Sequence, residues 1–514
     1  MAMAIKSLIT IGAAGLVADI ECHLSNNLPN IVIVGCASKA VDEARERLRA
    51  AFANSGMQMP RKRIVINLAP AEIPKADSGF DLAIAVSILL ASAQLPPSNL
   101  NDTAFIGELG LDGSTRPVRG IIGKLLAGRA KSITKFYIPV ANLLQAQLVP
   151  DIQIVPISNL LQLQMHLNKS QVLATISTNT RSQLQTSKSH NITPRPSATE
   201  RLSAVAGQPQ AKRALEIAAA GGHNILLSGP PGTGKSMLAK ALPSIMPPLG
   251  REEMLEVTHL HSLASHNYDQ IVTERPVRAP HHSASHAAVV GGGYNLKPGE
   301  ITLAHHGILF FDELPEFSRQ TLESLRQPLE DRHISVARVR DSVDYPANFI
   351  LVATANPCPC GYFGYPASGS CRCLPQQIVN YHKRLSGPIM DRIDLHTTVH
   401  EVNHQNLLLD TAGIISDEDI RKRVINARLA QQKRHMGQLN ADVPNEVLKQ
   451  HDYLDAAAKT ILDTAANKLH MSARAYIRTV KVARTIADLA GNISISTSNI
   501  TEALAYRPQL NSPV

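Results

Sequence analysis

The chain has 514 residues, a length that one hydrophobic core seldom organises, so two or three domains are expected. Its 51 Lys and Arg residues exceed its 42 Asp and Glu residues, which permits a polyanionic partner without requiring one. No apolar run reaches the length of about 18 residues that a membrane-spanning helix needs, and the first residues lack a signal-peptide layout. We therefore expect a cytoplasmic protein with no membrane segment.

Residues 1–166 alternate short apolar runs with helical patterns, which predicts a first domain of α/β or α+β class. The predicted strands are 31–34, 63–68 and 136–140, and the predicted helices are 40–55 and 82–92. Ser, Thr, Gln and Asn dominate residues 167–200, a composition that cannot bury enough apolar area to offset ordering. We predict a flexible linker there.

Two segments between residues 74 and 126 resemble the proteolytic domain of Lon proteases, a ribosomal-protein-S5-like fold with a Ser–Lys dyad. In this resemblance the nucleophile position falls on Gly79 and the lysine position on Ile122, and neither residue can do that chemistry. We therefore expect a degenerate, inactive domain. The adjacent Ser78 and Lys124 leave an out-of-register dyad as the alternative.

A second domain, 201–400, carries the motif on which the functional interpretation depends. The motif reads Gly229-Pro230-Pro231-Gly232-Thr233-Gly234-Lys235-Ser236 and lies between an apolar run and a helix-prone segment. Strand, glycine turn and helix in this order are typical of a nucleotide-binding loop. Its N–H groups converge on phosphate oxygens, Lys235 reaches the β and γ phosphates, and Ser236 can ligate Mg²⁺. ATP and Mg²⁺ are the predicted cofactors, and Gly207-Gln208 resembles the adenine-contacting segment of AAA+ ATPases.

Two further strands end in polar residues. The apolar run 308–311 is followed by Asp312 and Glu313, the Walker B arrangement, in which Asp312 holds Mg²⁺ through its water shell and Glu313 polarises the attacking water. Alone, two acids after a strand equally suit the start of a helix, but the phosphate loop at this distance favours the catalytic interpretation. The run 349–355 ends at Asn356, which matches the AAA+ sensor 1 position and would orient the water.

Two insertions carry basic residues, one within 275–300 and one within 332–345. The second alternates apolar and basic residues, which predicts a hairpin that could track a phosphate backbone by charge. The candidate DNA contacts are Arg275, Arg278, Lys297, Arg332, Arg338 and Arg340. In the alternative interpretation the hairpin arginines pair with the neighbouring Asp331, Asp341 and Asp344.

Four of the six cysteines crowd into one short segment after the third strand. They are Cys358, Cys360, Cys371 and Cys373. Four thiolates so close together fit a structural Zn²⁺ site, with reduced thiols or a redox pair as alternatives. Cys22 and Cys36 are expected in cores. The pairs His281-His282 and His305-His306 lack a third ligand at sensible spacing, so we do not predict a metal there.

Arginines after the cysteine segment are candidates for contact with phosphate. Arg392 lies in a segment, 386–394, that resembles the arginine-finger region of AAA+ proteins and would act on the nucleotide of a neighbouring subunit. Arg384 is the competing candidate, and an ordinary surface salt bridge is the alternative for either. In the helical lid predicted for 401–514, Arg474 matches sensor 2.

Four motifs together resemble the YifB/ComM family of magnesium-chelatase-like AAA+ proteins. They lie at 278–283, 312–317, 356–361 and 483–489. The resemblance implies an α/β fold with an S5-like first domain, an AAA+ core with a parallel sheet, and a helical lid. It also implies a homo-oligomeric, hexameric ATPase ring that acts as a helicase on single-stranded, forked or branched DNA. The resemblance further implies that this ring drives branch migration while incoming single strands are integrated during natural transformation.

Two other functions stay open beside the DNA motor. Shared ancestry with magnesium chelatase allows a remodeller that acts on a protein partner. An ATP-dependent protease fails on Gly79 and Ile122 unless the register is shifted. Binding to DNA that weakens steeply with salt would separate the motor from the others.

Overall fold

The computed structural model describes residues 4–508 except 13, 36–42, 73–77, 98–99, 179–199, 265–269, 294–295, 338–341, 366–370, 386, 402–415 and 451–452. Two β-sheets organise the described chain, one in the first 180 residues and one around the glycine-rich loop. Among the described helices, none combines the length and apolar character that a membrane span needs.

The first sheet has eight strands. Strands β1–β5 are Ile5–Ile11, Ala14–Ser25, Asn30–Val34, Arg63–Ala69 and Thr103–Phe105; β6–β10 are Glu108–Leu109, Thr115–Arg116, Lys135–Pro139, Gln153–Ile157 and Ile176–Ser177. The sheet order is β10-β9-β8-β5-β1-β2-β4-β3, and β6 and β7 form a separate ribbon. Strand β10, within the stretch predicted as linker, pairs antiparallel with β9.

Helices cover this first sheet and bury its apolar side chains. Helices α1–α5 are Ala44–Asn54, Asp81–Ala91, Ile121–Ala130, Leu143–Ala146 and Leu160–Leu167, with a 3₁₀ turn at Val140–Asn142. Helix α2 is apolar almost all round, so it is buried on all sides and lies against β1 and β2. The strands predicted at 31–34 and 63–68 and the helix predicted at 82–92 match described elements to within a residue or two, which confirms the α/β class.

The second sheet has five parallel strands in the order β12-β15-β18-β11-β19. These strands are Ile225–Ser228 (β11), Val277–Arg278 (β12), Ile308–Phe311 (β15), Ile350–Ala355 (β18) and Leu395–Thr398 (β19). Two ribbons complete the strands: Gly291–Gly292 (β13) with Lys297–Pro298 (β14), and His333–Ala337 (β16) with Ser342–Pro346 (β17). Because all five sheet strands run the same way, their carboxyl ends share one edge.

Helices lie on both faces of the parallel sheet. Helices α6–α14 are Pro209–Gly221, Lys235–Ile245, Arg251–Ala264, His286–Val290, Glu300–Leu303, Arg319–Ser324, Arg326–Asp331, Pro375–Lys383 and Gly387–Met390. Short 3₁₀ turns occur at Leu202–Ala204 and Leu314–Glu316. The C-terminal helices α15–α19 are Asp417–Arg434, Asn445–Gln450, Ala456–Lys468, Ala473–Leu489 and Thr497–Ala505. Apolar side chains of α15, α17, α18 and α19 share one core with α6 and α7, which confirms the predicted helical C-terminal region.

The first domain contacts the second at α8 and at the β16–β17 ribbon. Leu255 of α8 packs against the core under α3, and Gln145 donates its side-chain amide to the Gln270 carbonyl at 3.0 Å. Gly12, at φ +59°, lies so close to Val343 of β17 that a Cβ there would overlap the valine side chain. The first domain is therefore in direct contact with the ribbon that the sequence assigns to DNA.

Candidate nucleotide-binding site

The glycine-rich loop joins the carboxyl end of β11 to the amino end of α7. Gly232 and Gly234 have φ values of +80° and +85°, and a Cβ on either would meet no atom within 4 Å. Left-handed glycines of this kind let backbone N–H groups turn towards a phosphate. Lys235 is nearly buried, and its Nζ donates to the carbonyls of Gly229 and Pro230, each at 2.7 Å. Burial lowers the pKa of Lys235, while Asp312 and Glu313 act in the opposite direction.

Hard oxygen ligands converge beside the loop. The Ser236 hydroxyl donates to both carboxylate oxygens of Asp312, at 3.1 Å each. The two groups come together because Asp312 follows β15 at the edge where the loop follows β11. A hydroxyl and a carboxylate are the donor types that Mg²⁺ prefers, so the chemistry of this pair fits the predicted ion.

Thr354 of β18 connects these groups and was missed by the sequence reasoning. Its hydroxyl donates to Asp312 Oδ1 at 2.6 Å and accepts the main-chain N–H of Glu313 at 2.8 Å. One side chain thereby positions both acids. The available signal was a polar residue within an otherwise apolar buried strand, because such a group is retained only where it is hydrogen-bonded.

Glu313 adopts a backbone conformation that is unusual for a residue with a side chain. Its φ and ψ are +54° and +57°, in the left-handed region, which costs of order 1–3 kcal/mol and persists only where the surroundings impose it. The amide Nδ2 of Asn356 lies 3.4 Å from Glu313 Oε1. The structure thus brings the predicted general base and the predicted sensor 1 residue together at the carboxyl edge of the sheet.

The structure places Arg392 and Arg474 together, but away from the phosphate loop. Both guanidinium groups pair with the carboxylate of Glu330, Arg474 at 2.6 Å. The Arg392 carbonyl accepts a hydrogen bond from the side chain of Asn224, which directly precedes β11. Arg392 therefore lies at the amino edge of the sheet, and the four residues of β11 put roughly 13 Å between this edge and the loop that holds Lys235.

The competing finger candidate, Arg384, lies at the opposite edge. Its Nη1 donates to Glu316 Oε2 at 3.1 Å and to the Pro315 carbonyl at 3.3 Å, just after Glu313. The side chain is about half exposed. Arg384 is thus attached to the Walker B segment of its own chain.

A buried ion-pair network anchors the C-terminal helices to the amino edge. Asp394 receives Arg478 Nη1 at 2.6 Å and the main-chain N–H of Asn224 at 3.1 Å, and His223 lies 3.4 Å away. Burial opposes ionisation of Asp394, but Arg478 and His223 hold its pKa below the usual range. Helix α18, which carries Arg474 and Arg478, is thereby fixed to the start of β11.

Three of the candidate DNA-binding arginines are ion-paired within the fold. The pairs are Arg275 with Glu253 at 2.8 Å, Arg278 with Glu300 at 2.5 Å and Arg332 with Asp442 at 2.5 Å. The Arg275 side chain is only 8% exposed and is held within the fold by this pair, and its DNA contact stays a prediction. Lys297 in β14 is exposed. Arg338 and Arg340 lie outside the described residues.

The four cysteines meet in space. The Cys358 sulfur lies 3.3 Å from that of Cys360 and 3.8 Å from that of Cys371, and all four sulfurs lie within 4.8 Å of one another. Zn–S bonds of about 2.3 Å in a tetrahedron place the sulfurs about 3.8 Å apart, so this donor set fits Zn²⁺. Backbone N–H groups of Tyr362 and Arg372 lower the pKa of Cys360 to about 6.

In the structure, His305 and His306 have a third potential metal ligand beside them, the carboxylate of Glu256. Glu256 Oε2 lies 3.0 Å from His305 Nε2 and 2.8 Å from His306 Nε2. His305 Nδ1, however, accepts the N–H of Asn348 at 3.0 Å, so the proton of the neutral ring is on Nε2. That proton occupies the position a metal would need, and we assign the cluster to hydrogen bonding.

In the first domain, Ser78 is engaged by a carboxylate. Its hydroxyl donates to Glu108, and the nearby Asp81 pairs with Arg47 at 2.7 Å. Burial raises the pKa of Asp81 to about 6 against the effect of Arg47. A carboxylate beside a serine does not supply the amine base that a Ser–Lys dyad requires, so the out-of-register dyad gains no support from this hydrogen bond.

A parallel sheet with a phosphate loop after β11, and with Asp312, Glu313 and Asn356 at the carboxyl ends of β15 and β18, defines a P-loop protein of the AAA+ class. Three family models match the chain: magnesium chelatase subunit ChlI over residues 201–407, subunit ChlI of Mg-chelatase over 20–142, and the ChlI C-terminal region over 415–507.

Two relatives matched over nearly their full length, and one matched in part, give the same placement. Competence protein ComM of Haemophilus influenzae is 41% identical over 508 residues, covering 98% of this chain and 97% of that protein. YifB of Salmonella typhimurium is 41% identical over 495 residues, covering 95% and 93%. The magnesium-chelatase 38 kDa subunit of Cereibacter sphaeroides is 27% identical over 174 residues, covering 30% and 52%. The chain belongs to the YifB/ComM family of magnesium-chelatase-like AAA+ proteins.

Proposed function

We propose that the chain is an ATP-hydrolysing motor that works on DNA as a homo-oligomeric, hexameric ring. The substrate would be single-stranded, forked or branched DNA during natural transformation and homologous recombination. The observation that carries the proposal is that the polar side chains predicted for ATP hydrolysis converge at one sheet edge. They are Ser236, Asp312, Glu313 and Asn356, together with Thr354. The chain that holds them is 41% identical to a competence protein over nearly its full length.

The hydrolytic step follows from the positions of these side chains. The loop N–H groups and Lys235 bind the β and γ phosphates, and Ser236 with Asp312 would hold Mg²⁺, which neutralises phosphate charge. Glu313 accepts the proton of the attacking water, and Asn356 keeps that water in line. The hydrogen bond from the Glu313 N–H to Thr354 fixes the main chain from which the general base projects.

The placement of Arg392 and Arg474 supports a ring. Both lie at the edge away from their own phosphate loop, so each would reach a γ phosphate only if that phosphate belonged to a neighbouring chain. Arg392 is nearly buried, and its Nε has no hydrogen-bond partner among the described residues. A phosphate from the neighbour would compete with Glu330 for both guanidinium groups, and charge-assisted bonds of this kind are strong.

DNA contacts are assigned to Lys297 and to Arg338 and Arg340, which lie in the sequence between β16 and β17. Exposed cations suit this role because they bind phosphates without first breaking an internal ion pair. The four cysteines are proposed to bind a structural Zn²⁺. The alternative function, remodelling of a protein partner, is favoured by the partial matches to magnesium-chelatase subunits.

Strand displacement and branch migration by the purified chain test the proposal. We expect ATP-dependent separation of forked DNA by the wild type. Glu313→Gln should bind ATP and DNA but hydrolyse and unwind slowly, whereas Lys235→Ala should lose nucleotide binding and assembly together. Glu316→Gln is the matched control, because that acid lies three residues further along and pairs with Arg384 instead. Undiminished turnover by Glu313→Gln would remove the assigned base.

A further inference from the structure

The four-cysteine loop, described at residues 358–365 and 371–373, continues directly from sensor 1. Cys358 is fully buried and follows Asn356 by two residues. The Pro357 carbonyl between them lies 3.0 Å from His382 Nε2, which fastens this peptide to α13. Any movement of the first pair of cysteines would therefore move the residue predicted to orient the attacking water.

The same arm of the loop touches the phosphate loop. Gly361 has a φ of +86°, and a Cβ built on it would lie 2.6 Å from Cδ and 3.1 Å from Cγ of Pro231. The Gly361 N–H donates to the Cys358 carbonyl at 2.9 Å and closes the turn that brings the Cys358 and Cys360 sulfurs together. The metal-ligand turn and the phosphate loop are thus in van der Waals contact with no space for a side chain.

Further along, the loop approaches the segment that the sequence predicts to contact adenine. The Tyr365 ring lies 6.3 Å from the His400 ring, centroid to centroid. The His400 carbonyl accepts the side-chain amide of Gln208, which belongs to the segment predicted to contact adenine. The described part of the loop therefore lies beside the phosphate loop at Gly361 and near the predicted adenine-contacting segment at Tyr365.

We propose that Zn²⁺ bound by the four thiolates holds this loop as a wall of the nucleotide cleft, so that zinc occupancy sets the affinity for ATP. This inference rests on the proposed ATPase function and adds a control to it. A tetrahedral ion joins the Cys358–Cys360 arm to the Cys371–Cys373 arm and fixes these two arms before nucleotide binds. Without the ion, ordering of the wall must be driven by nucleotide binding itself, which weakens the apparent affinity.

The first experiment measures zinc content and nucleotide affinity on the same full-length protein. Zinc is released to a chromogenic chelator, and a fluorescent ATP analogue reports binding. We expect about one zinc ion per chain in the wild type and in the control Cys22→Ser, whose cysteine lies in the first domain. The double variant Cys371→Ser, Cys373→Ser should lack zinc and bind the analogue at least about tenfold more weakly.

A pair of glycine variants tests the contact without touching the thiols. Gly361 and Gly364 have similar φ values, +86° and +81°, so alanine imposes the same backbone strain at both. Only Gly361 faces Pro231, whereas a Cβ on Gly364 would meet no atom within 4 Å. Both variants should keep zinc, and Gly361→Ala should lower nucleotide affinity about tenfold while Gly364→Ala changes it less than about twofold.

The outcomes separate this inference from the proposed function. A wild type that binds nucleotide but carries no zinc overturns the inference, as does a zinc-free cysteine variant with wild-type nucleotide affinity. If the cysteine variant does not fold, Gly361→Ala decides, and an affinity equal to that of Gly364→Ala overturns the inference. A wild type that binds zinc but no nucleotide overturns the proposed ATPase function as well.

Discussion

Thr354 donates a 2.6 Å hydrogen bond to Asp312 and accepts the N–H of Glu313. Removal of this hydroxyl releases the Asp312 carboxylate and leaves the main-chain N–H of Glu313 without its acceptor. An unsatisfied donor of this kind lowers stability by about 1–3 kcal/mol. We expect Thr354→Val, which keeps the side-chain shape, to bind the ATP analogue normally and to hydrolyse ATP about 10- to 100-fold more slowly. Steady-state turnover and nucleotide affinity measure the two effects.

The control for this variant is Thr354→Ser, which restores the hydroxyl and should restore most of the turnover. Turnover by Thr354→Val equal to that of the wild type would show that Thr354 does not position the two acids.

The shared ion pair of Arg392 and Arg474 with Glu330 leads to a mixing experiment. Arg392→Ala and Glu313→Gln should each be inactive alone, with turnover reduced by roughly 10³-fold or more for loss of a finger arginine. In a mixed ring, a site with Glu313 from one chain can meet Arg392 from its neighbour. We therefore expect the mixture to regain turnover, measured across mixing ratios.

Arg384→Ala serves as the comparison, because Arg384 pairs with the Walker B segment of its own chain. A mixture of Arg384→Ala with Glu313→Gln should show no more activity than the Arg384→Ala protein in it supplies. Absence of recovery in the Arg392 mixture would place that arginine's action within one chain.

Lys297 is the exposed cation among the described DNA candidates, so its removal should weaken DNA binding without changing the fold. We expect Lys297→Ala to keep basal ATPase activity, to lose part of the stimulation by DNA, and to reduce the slope of log affinity against log salt by about 1. Arg338→Ala with Arg340→Ala should lose the stimulation more completely. DNA binding in a salt titration measures both.

An exposed lysine on the C-terminal helix α15, Lys422, provides the control. Lys422→Ala should leave both the DNA affinity and the salt slope unchanged. If Lys297→Ala and Lys422→Ala have the same effect, the contact lies elsewhere on the surface.

His396 in β19 should make stability depend on pH. Burial, and secondarily Arg507, lower the pKa of His396 to about 4 from its ordinary 6.5. The unfolded chain therefore takes up a proton at this histidine at a higher pH than the folded chain does. Above pH 6.5 neither state is protonated, and as pH falls from 6.5 towards 4 protonation of the unfolded chain lowers the free energy of unfolding. We expect the free energy of unfolding to fall by up to roughly 3 kcal/mol over this window.

Urea denaturation at several pH values measures this slope. His396→Gln should flatten the slope relative to the wild type, and His23→Gln, at an exposed site on β2, should not. Equal slopes in all three proteins would contradict the assignment to His396.

Local patterns predicted the fold well because each depends on neighbours along the chain. The strand at 63–68 appears as Arg63–Ala69, and the helix at 82–92 as Asp81–Ala91. The order of strand, glycine turn and helix placed the phosphate loop, and parallel strands then require Asp312 to lie near Ser236.

Contacts between distant residues could not be predicted in this way. Arg474 and Glu330 are 144 residues apart, and no periodicity connects them. Charge alone suggested DNA contacts for Arg275, Arg278 and Arg332, whose acidic partners lie up to 110 residues away. The link between Gly361 and Pro231 likewise depends on two loops that meet only in the folded chain.

Steady-state ATP hydrolysis by the full chain, with and without single-stranded or forked DNA across a salt series, tests the central claim most directly. A DNA motor predicts stimulation by DNA that fades as salt rises, because phosphate contacts release counterions. Hydrolysis that is indifferent to DNA at every salt concentration would contradict the motor and favour a ring that remodels a protein partner.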